Sequence, residues 1–322
     1  MMDSLMKENI YLSVVVPLFN EEGNIDVLLK DLEDNLQNLD VSYEIILVDD
    51  GSSDQTWAKI KEAASAHSCI TGIRLARNFG HQHALLAGLN CASGKAIVSM
   101  DGDLQHPPSL IPQMLASYEN GAFVVNTFRN DRNINSFFKR KTSLIFYKLF
   151  SLITGVQMAP GSSDFRLIDR SVLDQLLQLN DVDLFLRGAV EWLGFPSVTL
   201  SYAAGTRFSG GSKYTLSKMV KFASGSIISF STKPLVLGVW IGVLTSVLAF
   251  LEMVYILFRF SIGQTVPGWA STVGIISFLF GVLFVILGVI GTYLARIHVA
   301  LQNRPRFIIR EIHDQKGTGR AG

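Results

Sequence analysis

Two carboxylates spaced i, i+2 around a glycine, Asp101-Gly102-Asp103, stand where a short apolar run ends and a proline-started helix should begin. In a turn at the carboxyl edge of a sheet, such a pair can face one hard cation that also holds diphosphate oxygens, and magnesium and manganese both suit oxygen ligands. An Asx-turn leading into the helix would use the same residues without chemistry. Two further acidic turns precede it, Pro17-Leu18-Phe19-Asn20-Glu21-Glu22 and Asp49-Asp50-Gly51-Ser52-Ser53-Asp54. Asn20, Ser53 or Asp54 could cap helices, and acids favour a helix's first turn. Capping does not explain two adjacent acids directly after a buried strand, where their lost hydration must be compensated. Asp50 could accept hydrogen bonds from a base or ribose. His81, His83 and His106 match no dedicated zinc spacing and read as surface or cap residues. Cys69 and Cys91 form neither a disulfide framework nor a CxxC pair, which fits a reducing compartment.

The elements that would position these turns alternate. Leu12 to Leu18, Tyr43 to Val48, Ile70 to Leu75, Ala96 to Met100 and Phe123 to Thr127 are short, apolar and β-rich, while Glu22 to Leu39, Asp54 to His67, His81 to Ala92 and Pro108 to Tyr118 have helical spacing. Strand and helix in repetition predict an α/β fold, a mostly parallel sheet with helices on both faces. Ligands of such sheets bind at the carboxyl ends of strands, where the acidic turns lie. The tail from about Gln315 reads as disordered.

The chain has 322 residues, 48% apolar and only 17% charged, with a mean hydropathy of +0.32. That is too few charges for a wholly water-exposed or disordered protein. Leu235 to Phe258 carries one charge, Glu252, and Trp269 to Ala295 carries none. As helices rising about 1.5 Å per residue, each run can cross a hydrocarbon core of about 30 Å. Lys213, Lys218, Lys221 and Lys233 precede the first run, and Arg296, Arg304, Arg306 and Arg310 follow the second. The positive-inside rule therefore puts both termini and the N-terminal part in the cytoplasm. No apolar h-region opens the chain, so no signal peptide is expected. The expected layout is a cytosolic domain over 1–233, a two-helix transmembrane hairpin over 234–298 and a cytosolic C-terminal tail over 299–322. Glu252 reads as a paired interface or oligomer residue, so a homo-oligomer stays open.

Between Arg129 and Lys148, six basic residues face one acid, and Phe137, Phe138, Phe146 and Tyr147 are interleaved with Lys139, Arg140, Lys141 and Lys148. Aromatics at headgroup depth beside ammonium groups suit a helix lying in a membrane interface. A nucleic acid could be drawn to such a patch, but two adjacent spans favour the membrane. Juxtamembrane amphipathic helices are accordingly expected near 134–152 and 213–231.

PLFNEEGNI, VDDGSSDQT, RNFGHQHALLAG and DGDLQHPP, in this order, resemble the family 2 glycosyltransferases of GT-A fold, a Rossmann-like architecture. SDFRLIDR, FLRGAVEWLGF, SGGSKYTLSKM, SFSTKPL and the two apolar runs resemble, more narrowly, the polyprenyl-phosphate glycosyltransferases. The resemblance implies that Pro17, Phe19, Glu21 and Asp50 line the donor's base and ribose. It implies that Asp101 and Asp103 hold a divalent cation, magnesium or manganese, and the diphosphate, with Gln105 nearby. Arg140, Arg207 and Lys213 would meet the acceptor phosphate, and Asp103, Asp164 and Arg207 would serve catalysis. For Asp164, a buried pairing with Arg166 is the structural alternative.

The implied partners are a nucleotide-sugar donor, a polyprenyl phosphate and the membrane, with no nucleic acid. The implied activity is metal-dependent, inverting transfer of a sugar, glucose from UDP-glucose in the leading case, to undecaprenyl phosphate at the cytoplasmic face of the inner (plasma) membrane. GDP-mannose, UDP-GlcNAc or UDP-aminoarabinose as donor remains open, as does a non-catalytic nucleotide-binding scaffold. A processive synthase would need a Gln-x-x-Arg-Trp motif and more spans, and neither is present in the sequence.

Overall fold

The structure is a computed structural model that describes residues 10–129, 162–179, 185–202, 233–263, 268–302, 304–315 and 317–319. The interface helices expected near 134–152 and 213–231, and with them Arg140, Arg207 and Lys213, lie outside the described residues.

The predicted alternation is present. Strands β1 (Leu12–Leu18), β2 (Tyr43–Asp49), β3 (Ile70–Leu75) and β4 (Ala96–Ser99) are joined by helices α1 (Ile25–Leu36), α2 (Thr56–Ala66) and α3 (His81–Cys91). A 3-10 turn (Pro108–Leu110) then leads into α4 (Ile111–Glu119) and β5 (Val124–Arg129). Beyond the sequence expectation come β6 (Ser162–Asp169), α5 (Arg170–Gln178), α6 (Leu186–Leu193) and β7 (Ser197–Tyr202). The two long helices are α7 (Lys233–Ser261) and α8 (Trp269–Leu301), and the chain ends with β8 (Ile309–Asp314) and β9 (Gly317–Gly319).

The strands form one sheet in the order β7-β5-β6-β4-β1-β2-β3-β8-β9. Its centre, β4-β1-β2-β3, is parallel. The flanks are mixed: β6 runs antiparallel to β4 and β5, β7 runs parallel to β5, and β8 runs antiparallel to β3 and β9. The expectation of a mostly parallel sheet is thus corrected to a mixed sheet with a parallel core. The reading of the tail as disordered from about Gln315 is corrected too. Among the described residues of that tail, 317–319 form β9, which pairs with β8 as the last strand of the sheet.

Period-2 alternation explains the two cores. Leu12, Val14, Val16 and Leu18 of β1 face one side with Leu28 and Leu32 of α1, Ile60 of α2 and Met114 of α4. Val15 faces the other with Leu85 and Leu89 of α3, Leu173 of α5 and Val190 of α6. Every residue of β1 is buried, as expected for a central parallel strand covered on both faces.

The long helices form a separate compact unit. They contain candidate membrane spans Leu235–Arg259 and Gly274–Leu301, of mean hydropathy 2.2 and 2.7, and neither span is buried in protein. Trp240 and Phe284 are 67% and 66% exposed, which water would penalise and lipid would not.

Candidate functional site

The turns after β1 and β2 are tied to each other. The Asn20 N–H donates to Ser52 Oγ at 2.9 Å, and Asn20 Oδ1 accepts from the Ser53 N–H at 3.0 Å. The Glu21 N–H donates to Thr56 Oγ1, and Glu22 Oε2 accepts from the Gln55 N–H. Asn20 accordingly stitches two loops together from a left-handed backbone conformation, φ 55°, instead of capping α1. Among the expected donor-binding residues, Pro17 is buried within β1 and Phe19 is 44% exposed beside it. Glu21 receives a 2.5 Å bond from Asn24 Nδ2.

Asp50 is 2% exposed. Its two oxygens accept the N–H groups of Phe79, at 2.7 Å, and Gly80, at 2.9 Å. Burial raises its pKa, the two N–H bonds oppose that, and neighbouring Asp49 adds to the rise. Asp50 thus fixes the loop before α3, with lone pairs to spare for a further donor. Gly51, at φ 69°, has room for no Cβ, because the Arg77 carbonyl carbon would lie 2.6 Å away.

Asp101 and Asp103 occupy the turn after β4. A Cβ on Gly102 would meet Leu18 at 2.3 Å, so the turn rests directly on the end of β1. Asp103 accepts from the N–H of Gln105 at 3.2 Å and from its side-chain amide at 2.5 Å. Asp101 Oδ1 is buried without a hydrogen-bond partner. His81 Nε2 stands 3.3 Å from it and 3.6 Å from Asp164 Oδ2. Burial disfavours protonation of His81, but the nearby carboxylates of Asp164 and Asp101 outweigh it and leave the pKa raised.

These features accommodate a divalent cation. Two neighbouring carboxylates, one with an oxygen that accepts no hydrogen bond, are an oxygen donor set of the kind magnesium and manganese take. Among the described residues no cluster of three or more His, Cys, Asp or Glu could hold a metal alone, so further ligands would have to come from a bound diphosphate or water.

Asp164 lies in β6 and is 4% exposed. Both of its oxygens are gripped by Arg187 of α6, through Nε and Nη2 at 2.7 Å each. Gln82 Nε2 adds a bond at 3.2 Å, and Gln82 Oε1 accepts the Leu186 N–H. Burial works against the charge on Asp164, yet the Arg187 guanidinium overcomes it and holds the carboxyl well below its usual range. The expected alternative partner, Arg166, is buried as well; its Nη2 bonds the Ser163 carbonyl, and its charge adds to that of Arg187 in holding the Asp164 carboxyl down. Sequence reasoning does not single out Arg187; the available signal in FLRGAVEWLGF is its one cation, accompanied by a single acid, Glu191, among apolar residues.

The reading of the histidines holds for His83, which bonds the Phe79 carbonyl in the first turn of α3. For His106 it is corrected. That ring is 6% exposed, stacked on Phe165 with centroids 5.1 Å apart, and it accepts the Asp101 N–H. The site therefore brings Asp101, Asp103, Gln105, His81, Asp164 and Arg187 to one end of the sheet, next to the stitched loops.

Comparison with known proteins shows which family the chain belongs to. Residues 13–177 match the family model "Glycosyl transferase family 2". The chain belongs to that family. It is 37% identical over 307 residues to the uncharacterized glycosyltransferase YkcC of Bacillus subtilis (strain 168), covering 95% of each chain. It is 35% identical over 303 residues to the SfII prophage-derived bactoprenol glucosyl transferase of Shigella flexneri, covering 94% of this chain and 98% of that one. Among solved structures, a mannosyltransferase from Pyrobaculum calidifontis in complex with GDP-Man and Mn2+ aligns with TM-score 0.47 and 17% identity over 69% of this chain and 63% of that one.

Proposed function

We propose that this glycosyltransferase moves glucose from UDP-glucose to undecaprenyl phosphate, or a similar polyprenyl phosphate, at the cytoplasmic face of the membrane. The observation that carries the reading is the likeness to bactoprenol glucosyl transferases over nearly the whole chain, including the two apolar helices. The acidic turns at the sheet's edge support it from the chemical side.

A single in-line attack by the lipid phosphate on the anomeric carbon inverts it, giving a β-linked product from an α-linked donor. A phosphate monoester has its second pKa at about 6 and is largely dianionic at neutral pH, so no strong general base is needed. Asp164, clamped by Arg187, is a poor base; its part is to fix Arg187 and His81 beside the acidic turn. Asp101 and Asp103 would hold the divalent cation, which when bound supplies positive charge to the departing diphosphate. Pro17, Phe19, Glu21 and Asp50 frame the nucleoside. Arg140, Arg207 and Lys213 offset the repulsion between the incoming phosphate and the diphosphate. The basic flanks of the hairpin support a topology with both termini cytoplasmic.

Incubation of the purified full-length protein with undecaprenyl phosphate and, in parallel, UDP-glucose, UDP-GlcNAc, GDP-mannose and UDP-aminoarabinose tests the reading. A lipid gaining one hexose from UDP-glucose alone is expected. A product from another donor only would overturn the choice of glucose.

A further inference from the structure

His106 does more than fill space. The Asp101 amide can only donate, so His106 Nδ1 accepts at 2.9 Å, and the ring proton must sit on Nε2, 2.7 Å from Ser163 Oγ. Ser163 belongs to β6 and directly precedes Asp164; its Oγ also accepts the Phe165 N–H at 3.1 Å. Phe165 supports the imidazole face at an interplanar angle of 13°, and Tyr202 meets its edge at 82°. One side chain thus ties the backbone of the acidic turn to the strand that carries Asp164. The turn needs such a tie. Leu104 sits in the left-handed region at φ 61°, which side chains rarely adopt, and Gly102 leaves the turn's inner face without a side chain.

We infer that His106 is a positioning residue that holds the Asp101–Asp103 turn against β6, so that its carboxylates meet cation and diphosphate already in place. The inference rests on the reading of Asp101 and Asp103 as metal-holding residues. A packing role and a positioning role make opposite demands. Packing would be satisfied by a ring without nitrogens, whereas positioning needs the acceptor at Nδ1.

Two variants separate them. His106→Phe keeps the ring stacked on Phe165 and loses both bonds, leaving the half-buried Asp101 N–H without its acceptor. His106→Asn loses the ring but retains an oxygen that can accept the Asp101 N–H. Binding of Mn2+ to the full-length protein in detergent, with UDP present, is read from the free-Mn2+ electron paramagnetic resonance signal, alongside a melting curve. His106→Phe should weaken Mn2+ binding about tenfold or more, and His106→Asn should stay within about threefold of the parent, whichever of the two melts lower. Ser163→Ala, which removes the far anchor together with the acceptor of the Phe165 N–H and the Tyr202 O–H, should weaken binding by about threefold to fivefold and serves if His106→Phe does not fold. Parent-like binding by His106→Phe, or by Ser163→Ala, would overturn the inference, as would equal losses in the Phe and Asn variants. If the parent itself binds no Mn2+ with UDP, the metal reading of Asp101 and Asp103 fails, and the positioning role with it.

Discussion

Replacing Arg187 with methionine leaves Asp164 buried, at 4% exposure, without the two 2.7 Å bonds that compensate its charge. Removing one partner of a buried ion pair costs about 3–5 kcal/mol. Here the Arg187 side chain is itself 31% exposed, and Gln82 and His81 remain near Asp164, so the loss falls to about 2–3 kcal/mol. For a unit of this size that lowers the melting temperature by about 4–12 °C. The pH dependence carries a sign. In the parent, the depressed carboxyl contributes stability that is present above the unfolded pKa of about 3.9 and fades as pH falls toward the lower native value. In the variant, burial without Arg187 raises the carboxyl pKa, so acidification protonates Asp164 and relieves the penalty. The melting gap should therefore be widest near neutral pH and narrow toward about pH 5. Adding Asp164→Asn removes the stranded charge and should recover about 1–2 kcal/mol relative to Arg187→Met alone. Differential scanning fluorimetry of the detergent-solubilised chain reads all of this. Parent-like melting of Arg187→Met at neutral pH, or a gap unchanged by pH, would refute the account of Asp164.

Asp103→Asn should abolish transfer, and EDTA should do so reversibly; full activity of that variant under chelation would sink the metal assignment. A cysteine placed at Gln264 should react with an impermeant thiol reagent from outside the cell, whereas one at Ser217 should not, and the opposite pattern would reverse the topology. Arg207→Ala and Lys213→Ala should weaken transfer severely while calorimetry finds UDP-glucose binding nearly intact. Equal loss of both by Arg207→Ala would move that residue to the donor site.

The parallel core was legible because its signals are local. Leu12 to Leu18 is apolar throughout, as a strand covered on both faces must be, and the helices between strands carry their buried residues at helical spacing. The mixed flanks were not legible, because β8, Ile-Arg-Glu-Ile-His-Asp, has no period-2 pattern, and nothing local says that Ile312 pairs with Ile73 or that β6 lies beside β4. The acidic turns were visible as motifs, but the contacts that position them are distant in sequence. His106 reads as a surface residue until Phe165 and Ser163 are brought to it. For Asp164 the sequence offers Arg166 as a partner, and the clamp that grips it, Arg187, is delivered by α6 from 23 residues on. Local pattern picks out the acidic turns; tertiary packing decides what each polar side chain meets.

Transfer of labelled glucose from UDP-glucose into an organic-extractable lipid by the full-length protein, with the anomeric configuration of the product determined by nuclear magnetic resonance, tests the central claim most directly. A β-linked glucosyl undecaprenyl phosphate that forms with the parent chain and not with Asp103→Asn is the predicted result. An α-linked product would contradict the single-displacement chemistry. Glucose that stays water-soluble or becomes free in the presence of the lipid phosphate would contradict the acceptor itself.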